Sequence, residues 1–287
     1  MTQCSGWQSP GWSNPNLLVN WDFRNPVNQR GQTSYTTETN IVYSLDCWQI
    51  GGNGSLNIED GYIRVFRKID FENMFQKIEK TSELAGKTIT FSVCMGGQAN
   101  MTLNVNNNYP AYAFKREEGI EIVELSYTLP EDLNNLEVII QPPEDNTSFD
   151  LYAVKLEVGS ISTLALDLMQ PSDYAAELRK CQRYFYSTGG GSAWSVLARG
   201  FTQNTNDAYV SIQIPVPMRV SPSIQWGGEM NISTGGRSNK VNSIRLNQFT
   251  DEYVGLIATT EGLISEQYVE LMKNNDSNAF LWLSAEL

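Results

Sequence analysis

The stretch LNIEDGYIRVFRK (56–68) constrains the fold most. Apolar and polar residues alternate there on both sides of Asp60-Gly61. A two-residue period puts every apolar side chain on one face of an extended strand, and Asp-Gly between two such runs signals a hairpin. Runs of the same kind follow at KTITFSVCM (87–95), MTLNV (101–105), IEIVELSYTL (120–129), LEVIIQ (136–141) and FDLYAVKLEV (149–158). Clusters of Asn, Gly or Pro separate most of them. Short strands at that spacing predict an all-β sandwich rather than alternating β/α units.

Helical patterning stands out once, in PSDYAAELRKCQRYFY (171–186). Pro171, Ser172 and Asp173 are start signals, and Tyr174, Leu178, Cys181 and Phe185 recur at helical spacing. Glu177, Lys180 and Arg183 fall on the opposite face, and Gly189 to Gly191 are expected to stop the helix. Strand patterns resume in SVLARGFT, AYVSIQIPVPM, SPSIQW, SIRLNQFT, YVGLIATTE and AFLWLSAEL. Pro215, Pro217 and Pro222 favour edge or bulged strands. The polar stretch 227–242 reads as a long loop or loose hairpin. The expected layout is an N-terminal arm (1–15), a β-sandwich (16–170), a linking helix (171–188) and a C-terminal β-module (189–287).

The chain of 287 residues contains no histidine. That excludes Ser-His-Asp and Cys-His catalysis, HExxH zinc sites and His-ligated iron or copper. Cys4, Cys47, Cys94 and Cys181 form no CxxC pair, so no metal, cofactor or catalytic residue is expected. Cys94 and Cys181 read as buried small hydrophobes. A net charge of −12 with scattered basic residues repels phosphate backbones and argues against nucleic acid as a partner. No run approaches the roughly twenty apolar residues of a membrane span, and residues 1–16 lack the pattern of a secretory signal. Synthesis in the cytoplasm without membrane insertion is the expectation.

NLLVNWDFRNPVNQRGQTSY (16–35) followed by YSLDCWQI (43–50) resembles the opening of phage and prophage tail-fibre proteins of Gram-positive hosts. The matching positions are Asn16 to Leu18, Gln29 to Gly31, and Asp46 with Trp48. LAGKTITFSVCM (84–95) is similar to a central strand of jelly-roll carbohydrate-binding modules. KLEVGSISTLA (155–165) followed by ELRKCQRYFY (177–186) resembles the joint of that family, and IPVPMRVSPSIQW (214–226) the start of its C-terminal module. The resemblance covers most of residues 16–226. It implies a jelly roll, a linking helix and a β-sandwich-like C-terminal module in a virion appendage, with a homotrimer as assembly. It also implies attachment to other phage structural proteins through the arm, and to a host cell-surface glycan. Other readings are a structural collar, head or tail decoration without receptor binding, and a carboxylate-based polysaccharide depolymerase.

Sugar C–H faces stack on flat rings, so exposed aromatics are the residues a glycan site needs. Tyr109 and Tyr112 in NNNYPAYAF are candidates, and the C-terminal set Trp194, Tyr209, Trp226 and Tyr253 is the expected ligand-binding group. Trp7 and Trp12 are possible anchors of the arm, and Trp48 reads as a core residue. Arg30 is expected to pair with Asp46 or Glu157. Asp70, Glu72, Asp145 and Asp150 are the oxygens available to a structural calcium.

Overall fold

The computed structural model describes residues 12–115, 119–170, 172–189, 191–234 and 236–287, and only the backbone within 70–72. The chain forms two compact units, 1–177 and 178–287. Unit 1 contains β1 (Ser34–Thr37), β2 (Val42–Tyr43), β3 (Gln49–Glu59), β4 (Tyr62–Lys77), β5 (Thr88–Gly97), β6 (Ala99–Val105), β7 (Asn108–Lys115), β8 (Ile120–Thr128), β9 (Leu136–Gln141) and β10 (Thr147–Val158). Two helices follow, α1 (Leu164–Leu168) and α2 (Tyr174–Gln182).

All the strand pairs of unit 1 are antiparallel. β4-β9-β6-β7 form one layer and β10-β5-β8 the other, the order of a jelly roll. The long strand β4 joins the layers by changing partner. Ile63 to Arg67 pair with β10, whereas Met74 to Lys77 pair with β9. The two inner faces close over one apolar core containing Met74, Phe91, Met101, Ile140, Leu151 and Leu156, all at most 1% exposed. Asp60-Gly61 is the turn between β3 and β4, with Gly61 at a positive φ that side chains disfavour.

β4 begins at Tyr62 and pairs with β10 only from Leu151 back to Thr147, so the residues of β10 after Leu151 need other backbone partners. Residues 17–23 supply them: Leu17 N–H donates to Leu156 O, Val154 N–H to Trp21 O, and Phe23 N–H to Tyr152 O. The Gln76 side chain bonds both the N–H and the carbonyl of Val19, each at 2.8 Å. Asn16 accepts from Leu18 and Leu156 N–H and donates to Val154 O. Asn20, at φ 56°, exchanges bonds with Val27 and donates to Asp46 O.

The Gln-Arg-Gly turn belongs to this same network, as does Asp46–Trp48, which is a turn between β2 and β3 rather than a strand. Asp46 is fully buried and accepts from Gln29 Nε2 at 2.7 Å and from Arg30 Nη1 at 3.4 Å. Trp48, also fully buried, donates its indole N–H to Asn20 O and packs edge-on against Phe23. Arg30 therefore pairs with Asp46. Glu157 instead accepts from the N–H and hydroxyl of Thr163. Lys155, its neighbour on the outer face of β10, is fully buried and donates to Ser13, Thr163 and Asp167. These buried charges are tolerable because each is hydrogen-bonded. They fasten residues 13–14 and α1 onto the strand.

Asp173 caps α2 by accepting from Ala175 and Ala176 N–H. The helix ends at Gln182, before the expected boundary at 188, and the triple glycine does not stop it. Phe185–Thr188 is a strand, because those four residues pair with the last strand of the chain. Glu177 lies on the buried face rather than the outer one: its carboxylate accepts Asn20 N–H at 2.9 Å. Tyr174, placed on the apolar face by spacing, is exposed. Helix α1 went unrecognised in the sequence, being only five residues long.

Unit 2 contains β11 (Phe185–Thr188), β12 (Val196–Thr202), β13 (Asp207–Gln213), β14 (Ser223–Gly227), β15 (Met230–Thr234), β16 (Arg237–Lys240), β17 (Ser243–Phe249), β18 (Tyr253–Thr259), β19 (Tyr268–Lys273) and β20 (Phe280–Ser284). A seven-stranded sheet, β16-β15-β19-β12-β13-β18-β17, faces a three-stranded one, β11-β20-β14. Val210, Leu256 and Leu271 from the first share a core with Leu281 and Leu283 from the second. The polar stretch 227–242 contains the hairpin β15-β16. Gly200 packs so closely against β13 that a Cβ there would lie 1.8 Å from the Tyr209 carbonyl oxygen.

Two outcomes test this description. Gly200→Ala should lower unfolding stability by about 3 kcal/mol or more, because the clash is with backbone that cannot rotate away. Denaturant unfolding measures it, and a loss below about 1 kcal/mol would contradict the close approach. The second concerns Asp46, whose carboxyl burial pushes from 3.8 up to about 6, beyond the opposing effect of Gln29 and Arg30. Folding then favours the protonated form, so this contribution is complete below pH 3.8 and is lost as pH rises through 6. Between pH 7 and pH 4 the native chain should gain on the order of 3 kcal/mol over Asp46→Asn. Equal pH dependence of the two proteins would refute it.

Candidate functional site

The outer face of β10 and β5 is occupied by α1, whose Leu164 is fully buried with Ala153 and Cys94. The outer face of the other layer carries no such helix. Two-residue alternation sets its side chains in rows. Tyr112, Thr102, Ile139 and Phe75 form one row across β7, β6, β9 and β4, and Phe114, Asn100 and Gln141 form the next. Tyr109, Tyr112 and Phe114 stand at the β7 edge, 61%, 64% and 49% exposed. Together with Asn100, Thr102, Ile139 and Gln141 they line a hollow of about 310 Å³.

Local sequence builds this wall. Asn106 and Asn107 take successive positive φ values, 53° and 63°, in the two-residue turn between β6 and β7. Asn106 is held there by accepting from Asn134 and Asn135 N–H. β7 pairs only with β6, so Pro110 fits on it without breaking a ladder. Beyond Pro110, Ala111 is buried while Tyr112 and Phe114 face outward with their rings 5.1 Å apart, edge to face.

Three amide oxygens of this face lack a hydrogen-bond partner. Gln141 Oε1, Asn73 Oδ1 and Asn104 Oδ1 are buried and have no hydrogen-bond partner. Asn104 Nδ2 donates to the Glu137 carboxylate at 2.8 Å, which can only accept, so the Asn104 oxygen must point the other way. Buried unpaired acceptors cost free energy. None of the lining residues is acidic.

The four C-terminal aromatics do not form one group. Trp226 packs into the core of unit 2. Trp194, 56% exposed, sits in the turn before β12. Tyr209 and Tyr253 do share a surface, the outer face of the seven-stranded sheet, and line a hollow of about 380 Å³ with Phe201 and Tyr268. Those last two were missed for different reasons. The strand around Tyr268 went unrecognised although Val269, Leu271 and Lys273 alternate, and Phe201 reads as just another strand aromatic.

The other candidates are accounted for structurally. Asp150 accepts from Arg64 at 2.7 Å and Asp145 from Arg67 at 2.6 Å, so each is paired with an arginine. The side chains of Asp70 and Glu72 lie outside the described residues, as do Cys4 and Trp7. Among the described residues no group of three acidic, Cys or His side chains is placed to hold a metal. Burial raises the pKa of Cys94. No helix is long and apolar enough to cross a membrane, among the described residues.

No family model and no curated protein matches the chain. Among solved structures it is similar to the CBM22-1 and GH10 modules of Clostridium thermocellum endo-1,4-beta-D-xylanase 10B complexed with xylohexaose. That match has 16% identity and a TM-score of 0.33, covering 53% of this chain and 30% of that one. It is also similar to the CBM22-1-CBM22-2 tandem domain of Paenibacillus barcinonensis Xyn10C, with 7% identity, a TM-score of 0.34, and coverage of 96% and 98%. A Paenibacillus cycloisomaltooligosaccharide glucanotransferase complexed with cycloisomaltoheptaose gives 8% identity and a TM-score of 0.24, over 88% of this chain and 47% of that one. The chain thus spans less than a third of the xylanase structure. At these scores the jelly-roll assignment rests on strand order alone.

Proposed function

We propose that this chain is a glycan-binding subunit of a phage tail appendage, and that it holds its ligand on the open outer face of β4-β9-β6-β7. The observation that carries the binding reading is the hollow beside Tyr109, Tyr112 and Phe114. It offers flat rings for sugar C–H faces beside the polar side chains of Asn100, Thr102 and Gln141. An acceptor-rich face on a chain of net charge −12 favours a neutral glycan over a phosphate-bearing one. The absence of acidic residues from the lining supports binding rather than hydrolysis, since glycosidases flank the bond with two carboxylates. The appendage reading rests on the opening and joint motifs, whose residues form the network around Asn20, Asp46 and Lys155.

Titrating the full chain with short oligosaccharides of glucose, xylose, mannose, galactose and N-acetylglucosamine tests the site. Tyr112→Ala combined with Phe114→Ala should weaken the best ligand at least tenfold. Thermal stability should change by less than about 1 kcal/mol, both rings being exposed. Unchanged affinity would place the ligand elsewhere. Light scattering is expected to return three times the mass of one chain, and a monomer would refute the trimeric assembly.

A further inference from the structure

The outer face of the seven-stranded sheet has its own relief. Its register sets three rows across the strands. Tyr268, Phe201, Tyr209, Ile257 and Arg245 make the first row, and Glu270, Arg199, Ser211, Gly255 and Gln248 the second. Gln213 and Tyr253 begin the third. The middle row is low at its centre because Ser211 and Gly255 carry almost no side chain. Aromatic rings rise on either side of that low point. Tyr209 and Tyr253 lie on neighbouring strands, four residues apart along them, or about 13 Å.

The walls and rim have the chemistry of a binding site. Phe201 and Tyr268 pack edge to face at 6.1 Å and remain 62% and 51% exposed. Arg199 and the Tyr268 hydroxyl both donate to Glu270, which neutralises the charge on that side. Rings around a shallow neutral floor suit a molecule with flat apolar faces and hydroxyl edges.

We propose that this hollow is a second ligand site, taking a short stretch of neutral oligosaccharide independently of the groove in unit 1. It shares the ligand class of the proposed function but none of its residues. The volume of about 380 Å³ lies within the range of small-molecule sites. A stable contact between two copies would need a face of roughly 800 Å² a side.

The test uses the full chain carrying Tyr112→Ala and Phe114→Ala, titrated with the same oligosaccharides. Residual binding to at least one of them is expected. Adding Ser211→Trp, which fills the low point from an exposed position, should weaken that binding at least tenfold. Phe201→Ser with Tyr268→Ser should do the same by removing one wall, and circular dichroism melting verifies that each variant is folded. If the groove variant binds nothing while the native chain binds, the second site is refuted and the groove stands. If residual binding survives both hollow variants, the second site is again refuted. Binding of no oligosaccharide by the native chain refutes both readings. Should Ser211→Trp lower the mass in light scattering, the face joins copies of the chain and the proposal fails.

Discussion

Strand β10 has more edge than β4 can fill. β4 begins opposite Leu151 at Ile63, runs along β10 to Thr147 and then leaves for β9, so the residues of β10 after Leu151 lie beyond its start. Backbone groups left bare inside a protein are costly, and the rest of unit 1 follows from filling that gap. Residues 17–23 lie along that stretch, and side-chain amides of Asn16, Asn20 and Gln76 bond the backbone there, where no regular ladder continues. Asp46, Gln29, Arg30 and Trp48 close the network behind them. The motif residues of the opening are therefore the fastening of one segment to one strand.

The same strand decides which surface stays open. Its outer face carries Lys155 and Glu157, and satisfying those buried charges draws Thr163, Asp167 and Ser13 over it. Helix α1 covers that layer as a result. The opposite outer face has no such anchor and keeps exposed rings at its β7 edge, beside amide oxygens without partners. In unit 2, small residues on β13 and β18 between larger ones on neighbouring strands make a hollow without any helix or loop. Both hollows are products of lateral register, which sets side chains from distant sequence positions side by side.

Strand positions were largely legible. LEVIIQ is strand β9 to the residue, and the runs at 87–95, 101–105 and 149–158 differ from their strands by a few residues at the ends. Their alternation is imposed by a buried face, so it shows in a single sequence. The burial of Trp48 was legible too, and Arg30 pairs with Asp46, one of the two partners open to it in the sequence. The helix was readable at its Asp173 cap and unreadable at its end, because Phe185–Thr188 continues a helical spacing while its backbone pairs with β20. Glu177 reads as a solvent-facing charge until Asn20 supplies the N–H that it accepts.

What the sequence determined by itself is the all-β class, the turn at Asp60-Gly61, and the exclusion of histidine chemistry. Each depends on residue type or on spacing of a few positions. Only the tertiary structure decided which aromatics share a surface. Tyr209 and Tyr253 are 44 positions apart and line one hollow because β13 pairs with β18, whereas Trp226, on β14, packs against the core. Local spacing specifies which face of a strand a residue occupies. Whether that face is core or surface, and what stands beside it, is set by strand order, which depends on partners far away in the chain.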